Sequence, residues 1–145
     1  MFWRNLLDEQ PAPSLRPGGW LLLLGLVLYV WQPVTFAMEL LMSMGTLGMR
    51  GVPGVIELLA HGGSAGLSIA ASRALSNRTP AGPPMAAIAL VVAAVLGVQS
   101  LYWSSLPHNT MPSDKLPLAV LTVAHSAAWL IYLRRSKRVR AIVNQ

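Results

Sequence analysis

The chain of 145 residues contains no cysteine and little charge. The absence of cysteine excludes a disulfide-stapled scaffold. Charged residues make up 11% of the chain, with eleven basic and five acidic side chains, whereas an ordinary soluble domain carries about 25%. Hydrophobic residues account for 54% and the mean hydropathy is +0.52, which excludes a disordered chain. The composition therefore predicts a small integral membrane protein rather than a soluble enzyme.

The charged residues are clustered, and the intervals between them are long enough to cross a membrane. A helix needs about 20 mainly apolar residues to span about 30 Å of hydrocarbon. Four segments meet or approach that length: residues 20–44, 52–72, 85–104 and 116–133. They lack the alternation of a membrane β-barrel, so they are predicted as helices, separated by Gly- and Pro-rich breaks. The predicted fold is all-α integral membrane, a single transmembrane domain over residues 1–145 with four helices in an up-down hairpin bundle.

The distribution of basic residues predicts that both termini are cytoplasmic. That topology places nine Lys and Arg residues inside and only Arg50 and Lys115 outside, as the positive-inside rule requires. The densest group lies in the basic cytoplasmic tail, residues 134–145, and comprises Arg134, Arg135, Lys137, Arg138 and Arg140. This tail is interpreted as a topology anchor or as a binding site for anionic lipid head groups. Because these roles explain the cluster, no nucleic-acid partner is expected.

Polar side chains inside the predicted spans are the candidates for function, because they are costly in hydrocarbon. In the second span, Glu57, His61 and three serines recur every three or four residues and share one helix face. The opposite face carries Gly62 and Gly66, a spacing that predicts close helix packing, so this span is expected to be the most enclosed. The candidate cluster comprises Glu39, Glu57, His61, Gln99 and His125, with Gln32, Ser64, Thr122 and Ser126 in support.

Three interpretations of this cluster remain open. The groups hold the bundle together by hydrogen bonds, or they form a pathway for protons or a substrate, or they bind a metal or haem. For haem, His61 and His125 are the candidate axial ligands, and methionine thioethers are candidate copper ligands. No cofactor is expected by default, because methionine is a common apolar filler. No catalytic residue is assigned and no enzyme is expected, because the motifs of metalloproteases, serine hydrolases and phosphate loops are absent.

Both ends of the chain carry short motifs that resemble a known family. The first span opens with residues 18–24 (GGWLLLL), and the last span runs into residues 129–140 (WLIYLRRSKRVR). These motifs resemble the small bacterial membrane family named domain of unknown function 2569. The resemblance implies a four-span protein of the bacterial cytoplasmic membrane, and it implies no reaction.

The sequence favours one function and leaves two alternatives. The leading hypothesis is an accessory or interaction subunit, or a homo-oligomer, because the spans carry faces of small residues and the loops are too short to form a separate domain. The alternative is a small proton-coupled transporter or carrier that uses the Glu/His cluster. The third is a haem- or metal-binding membrane protein. The expected partners are the lipid bilayer and either a membrane protein or a second copy of the chain.

Overall fold

The computed structural model describes residues 19–106, 110–137 and 139–140, without the side chain of Leu47. Every regular element in this part of the chain is helical. The main helices are α1 (Gly19–Leu26), α2 (Gln32–Ser43), α3 (Leu47–Ser76), α4 (Gly82–Trp103) and α5 (Lys115–Arg135). Four segments are long and apolar enough to cross a membrane: Gly19–Ser43, Gly48–Ser76, Gly82–Trp103 and Pro112–Arg135. The prediction of an all-helical protein with four helices of membrane-spanning length and composition is confirmed.

A π-helical turn joins α1 and α2 into one span. The turn covers Val27–Trp31 and ends two residues before Pro33. Proline has no N–H to donate, and its ring clashes with the carbonyl four residues earlier, here that of Tyr29. The wider π turn relieves this clash, because its hydrogen bonds skip one residue more than those of an α-helix. The first span therefore stays helical through a proline.

The third span begins three residues earlier than the sequence predicts. Two prolines that were expected to lie before the helix are part of its first turn. Residues up to Pro84 were expected to form the preceding break, whereas α4 begins at Gly82. The first helical N–H groups have no partner within the helix, so proline is tolerated there. Gly82 also allows α4 to begin against the end of α3. A Cβ at Gly82 would lie 2.9 Å from the backbone carbonyl carbon of Ala74 and the backbone nitrogen of Leu75.

A glycine separates the second span from the helical turn that precedes it. Gly51 has φ +64° and ψ −162° inside α3, which makes Leu47–Arg50 a separate turn before the long helix. That backbone conformation is essentially restricted to glycine. The sequence prediction of a break near Gly51 and Pro53 agrees with this kink.

The second span is the most enclosed, as predicted. Its most apolar stretch is 33% buried, against 17%, 17% and 11% for the other spans in chain order. Helix α3 packs against α1, α2 and α4, and α5 packs against α4. The buried core gathers side chains from all four spans and from Val139: Leu21, Leu24, Leu28, Ala71, Leu75, Ala86, Ala89, Leu90, Trp129 and Leu133. Many large apolar side chains remain exposed on the outside, as expected of a surface that faces lipid.

The two glycines predicted to support close packing of the second span behave differently. A Cβ at Gly62 would lie 3.0 Å from the ring of Phe36, so α2 and α3 do approach closely there. Gly66 is exposed and would place a Cβ in open space. The prediction of a paired glycine contact is therefore wrong at Gly66, because the neighbouring helix covers only part of that face.

Candidate intramembrane polar site

A carboxylate and an imidazole meet between the first and second spans. The Nδ1 atom of His61 on α3 lies 2.6 Å from Oε2 of Glu39 on α2. The side chain of His61 is 10% exposed and that of Glu39 is 33% exposed. The two residues meet because the chain reverses near Gly51, which lies almost midway between them in sequence. The contact joins a hydrogen-bond acceptor to a group that can carry a proton at either ring nitrogen.

The Glu39–His61 pair lies in a polar cavity of about 190 Å³ between all four spans. The cavity is large enough for several water molecules or one small solute. Helices α4 and α5 close it where they approach tightly, since a Cβ at Gly97 would lie 3.1 Å from Cγ2 of Thr122. Its polar lining comprises Gln32, Thr35, Glu39, His61, Ser64, Ser100 and Thr122.

Four buried polar atoms on one face of α3 have no hydrogen-bond partner in the described part of the chain. They are Oε1 of Glu57, Nε2 of His61, Oγ of Ser64 and Oγ of Ser68. The residues follow one another at spacings of three and four, so their side chains are neighbours along the helix. Buried polar groups are almost always hydrogen-bonded in native proteins. These atoms are therefore available to water or to a polar solute, and they extend the polar site beyond the Glu39–His61 pair.

Glu57 belongs to a second polar contact, at the start of the same helix. Its side chain is buried, and Oε2 accepts a hydrogen bond of 2.7 Å from the backbone N–H of Ser105. The guanidinium of Arg50 donates to the carbonyl of Ser105 and, through Nε, to Oγ1 of Thr46 at 3.0 Å. In the segment after α4, Glu57 thus binds the backbone N–H of Ser105 and Arg50 binds its carbonyl. The sequence carries no signal for Ser105, because its contribution comes from the backbone.

The structure does not bring His125 and Gln99 to the Glu39–His61 pair. His125 is exposed on α5 and outside the cavity, and its ring packs edge-on against Trp129 with centroids 6.3 Å apart. Gln99 is half-buried on α4, lies outside the cavity lining, and its side chain makes no hydrogen bond to a described residue. The predicted cluster of five residues is therefore not formed as a whole. His61 and His125 also do not converge as an axial pair.

Of the four supporting residues predicted for the cluster, three line the cavity and one does not. Gln32, Ser64 and Thr122 line the cavity, and Oγ1 of Thr122 donates to the carbonyl of Leu118 at 2.8 Å. Ser126 is buried but lies outside the cavity. Across the described ranges, no three His, Asp or Glu side chains come together as metal ligands.

The basic cluster at the end of the fourth span faces outward where it is described. Arg134, Arg135, Lys137 and Arg140 are exposed, and Arg138 lies outside the described residues. Val139 is buried in the core cluster, so this part of the tail returns to the helices. The tail's role in topology or lipid binding stays a prediction.

The fold and the cavity define a small multi-pass helical protein with a carboxylate–imidazole site between its spans. No family model matches the chain, and searches of curated proteins and of solved structures gave no match either. The resemblance to the domain of unknown function 2569 family thus stays a prediction.

Proposed function

We propose that the protein is a small proton-coupled carrier of the bacterial cytoplasmic membrane, with Glu39 and His61 as its proton-binding pair. The observation that carries the proposal is the 2.6 Å contact between these side chains inside a cavity lined by all four spans. Ionisable residues within spans typically mark proton relays or solute pathways. Histidine is suited to this role because its unperturbed pKa lies near physiological pH.

The unsatisfied atoms favour a carrier site over a purely structural contact. A pair that only holds two helices together is expected to be dry, with its polar atoms satisfied by each other. Here the side chain of Glu39 is one-third exposed although its Oε2 atom is buried, and Nε2 of His61 and Oγ of Ser64 are buried without a partner among the described residues. A proton on the pair therefore has polar neighbours on the cavity side. This arrangement supports proton exchange with water or with a bound solute.

The cavity lining favours a small polar solute. Hydroxyl groups from all four spans and the amide of Gln32 line a volume of about 190 Å³. The hydroxyls of Thr35, Ser100 and Thr122 donate to backbone carbonyls and so offer acceptors. The hydroxyl of Ser64 and the amide offer donors as well. The carboxylate and the protonated imidazole neutralise each other, so the site has no strong preference for an ion of one sign. Because residues from every span line the cavity, a relative movement of the spans would alter its access to the two sides of the membrane.

The proposed orientation places both termini in the cytoplasm. It rests on nine basic residues on that side against two on the other. Within this orientation, the end of α3 near Ser76 lies at the cytoplasmic face and the kink at Gly51 lies at the outer face. No catalytic reaction is proposed.

Proton movement in proteoliposomes tests the carrier. The full chain is reconstituted with a pH-sensitive dye inside the vesicles, and a pH gradient is imposed with and without mixtures of amino acids and of polyols. The wild type is expected to dissipate the gradient in at least one of these conditions. Glu39→Gln and His61→Gln are expected to reduce the rate to that of protein-free vesicles. His125→Gln is the matched control, because His125 is exposed outside the cavity, and it should keep the wild-type rate.

Two outcomes would contradict the carrier. One is proton movement at the same rate in the wild type, Glu39→Gln and His61→Gln, with all three proteins folded. The other is a wild type that never exceeds protein-free vesicles in any condition. Thermal unfolding in detergent shows whether each variant is folded, so a loss of activity is separated from a loss of structure.

A second candidate function, as an interaction subunit or homo-oligomer, is favoured by the position of His125. Polar side chains within spans almost always face the protein interior or a water-filled cavity, yet His125 is exposed on α5. A partner helix on this face would bury it. The chain has no cysteine, so a single Ala128→Cys variant reports contacts at this face by disulfide formation in native membranes. Ile88→Cys, exposed on α4, is the control.

Cross-linking shows whether a second copy of the chain covers this face of α5. A covalent dimer at Ala128→Cys and none at Ile88→Cys supports a symmetric interface on α5. Monomer at both positions, together with a purified monomer that carries no other protein, would contradict this candidate and leave the carrier proposal untouched.

A further inference from the structure

A long groove opens on the outside of the protein between α1 and the end of α3. Its volume is about 720 Å³, well above that of the Glu39–His61 cavity. Its floor contains the buried side chains of Leu21 and Leu75. Oγ of Ser72 donates a hydrogen bond of 2.8 Å to the carbonyl of Gly25, which holds the two helices together below the groove. The groove is thus a defined feature of the packing between the first and second spans.

The sides of the groove are apolar and face outward. Leu22 and Leu26 line it and are 57% and 53% exposed. In a protein that spans a membrane, such side chains meet hydrocarbon. A lipid acyl chain matches this part of the groove in chemistry, because it buries the exposed leucines without leaving a polar group unsatisfied.

The side of the groove formed by α3 is basic and polar. Arg73 and Asn77 line it there and are both exposed. Arg73 lies three residues before the end of α3, and its guanidinium makes no hydrogen bond or ion pair to a described residue. An unpaired guanidinium this close to hydrocarbon is costly unless it reaches water or an anion. Its planar fork of donors matches a phosphate group, which it can bind through two parallel hydrogen bonds.

We propose that this groove binds an anionic phospholipid, with the phosphate at Arg73 and an acyl chain along Leu22 and Leu26. The complementarity has two parts, an apolar wall on α1 and a cation on the facing α3, and an anionic lipid presents an acyl chain and a phosphate that match them. A zwitterionic lipid carries an ammonium beside its phosphate, which weakens the attraction to Arg73. The site is separate from the basic tail after α5 and does not depend on the carrier proposal.

Native mass spectrometry of the full chain tests the site. The protein is equilibrated with equal amounts of phosphatidylglycerol and phosphatidylcholine of the same acyl chains, and the retained lipids are counted. We expect the wild type to retain phosphatidylglycerol in preference. Arg73→Gln should weaken this retention about fivefold, which corresponds to about 1 kcal/mol per basic side chain near the head groups. Arg135→Gln is the matched control, since Arg135 is exposed but does not line the groove.

A second variant tests the apolar half of the site without changing its charge. Leu26→Trp adds bulk to the exposed side of the groove and should lower retention of the lipid even though Arg73 is intact. Three results would overturn the proposal: equal retention of the two lipids by the wild type, equal losses in Arg73→Gln and Arg135→Gln, or unchanged retention in both Arg73→Gln and Leu26→Trp.

Discussion

The contact at Gly82 leads to a prediction with a worked magnitude. A Cβ there would lie 2.9 Å from two backbone atoms of the last turn of α3, and backbone cannot turn away as a flexible side chain can. Gly82→Ala must therefore push the start of α4 away from α3. Overpacking of this kind costs about 1–3 kcal/mol, and the gain in helix propensity returns at most about 1 kcal/mol. We expect a net loss in the free energy of unfolding.

Gly66→Ala is the matched control, because it makes the same change at a glycine with no atom near the added Cβ. It should raise the stability by up to about 1 kcal/mol through helix propensity alone. Reversible unfolding by SDS in mixed micelles, followed by circular dichroism, measures both free energies. The reasoning fails if Gly82→Ala is as stable as the wild type, or if the two variants shift the stability in the same direction by similar amounts.

Three further outcomes are expected. Glu57→Ala leaves the half-buried N–H of Ser105 without its acceptor and should cost about 1–3 kcal/mol, whereas Glu57→Gln keeps an acceptor oxygen and should cost less; thermal unfolding of the pair measures the difference. Gly51→Ala forces a side chain into a backbone conformation restricted to glycine and should cost about 1–3 kcal/mol in the same assay. A double-mutant cycle with Glu39→Gln and His61→Gln should give a coupling energy above about 0.6 kcal/mol, the average for polar contacts within membranes; a coupling of zero would show that the two side chains do not interact.

The helices were predictable because every backbone polar group of a span needs a hydrogen-bond partner within the protein when it lies in hydrocarbon. A charge-free run of about 20 residues has few alternatives to a helix in hydrocarbon. The ends of the helices were less predictable, because proline disrupts the interior of a helix but is tolerated in its first turn. Pro83 and Pro84 were expected to interrupt a helix, but in its first turn they are tolerated. Pro33 stays inside a helical span because a π turn precedes it.

The site was predictable only in part, because the sequence fixes which residues share a face of a helix but not which neighbour that face meets. Along α3, the spacing correctly indicates that Glu57 and Ser64 are buried together with the serines that follow. On α5, the same reasoning groups His125 with Thr122, yet the helix is rotated so that Thr122 lines the cavity and His125 is exposed. That rotation is set by packing against α4, for which a single sequence carries no direct signal.

The central claim is that His61 and Glu39 form a proton-binding site accessible to water. The most direct test is nitrogen NMR of histidine-labelled protein in lipid nanodiscs, in a variant whose only histidine is His61 because the other two are changed to glutamine. We expect the His61 imidazole to change its protonation between about pH 5 and 8, and Glu39→Gln to move the midpoint. An imidazole spectrum that stays constant across this range, or a midpoint that is the same with and without the carboxylate, would contradict this claim.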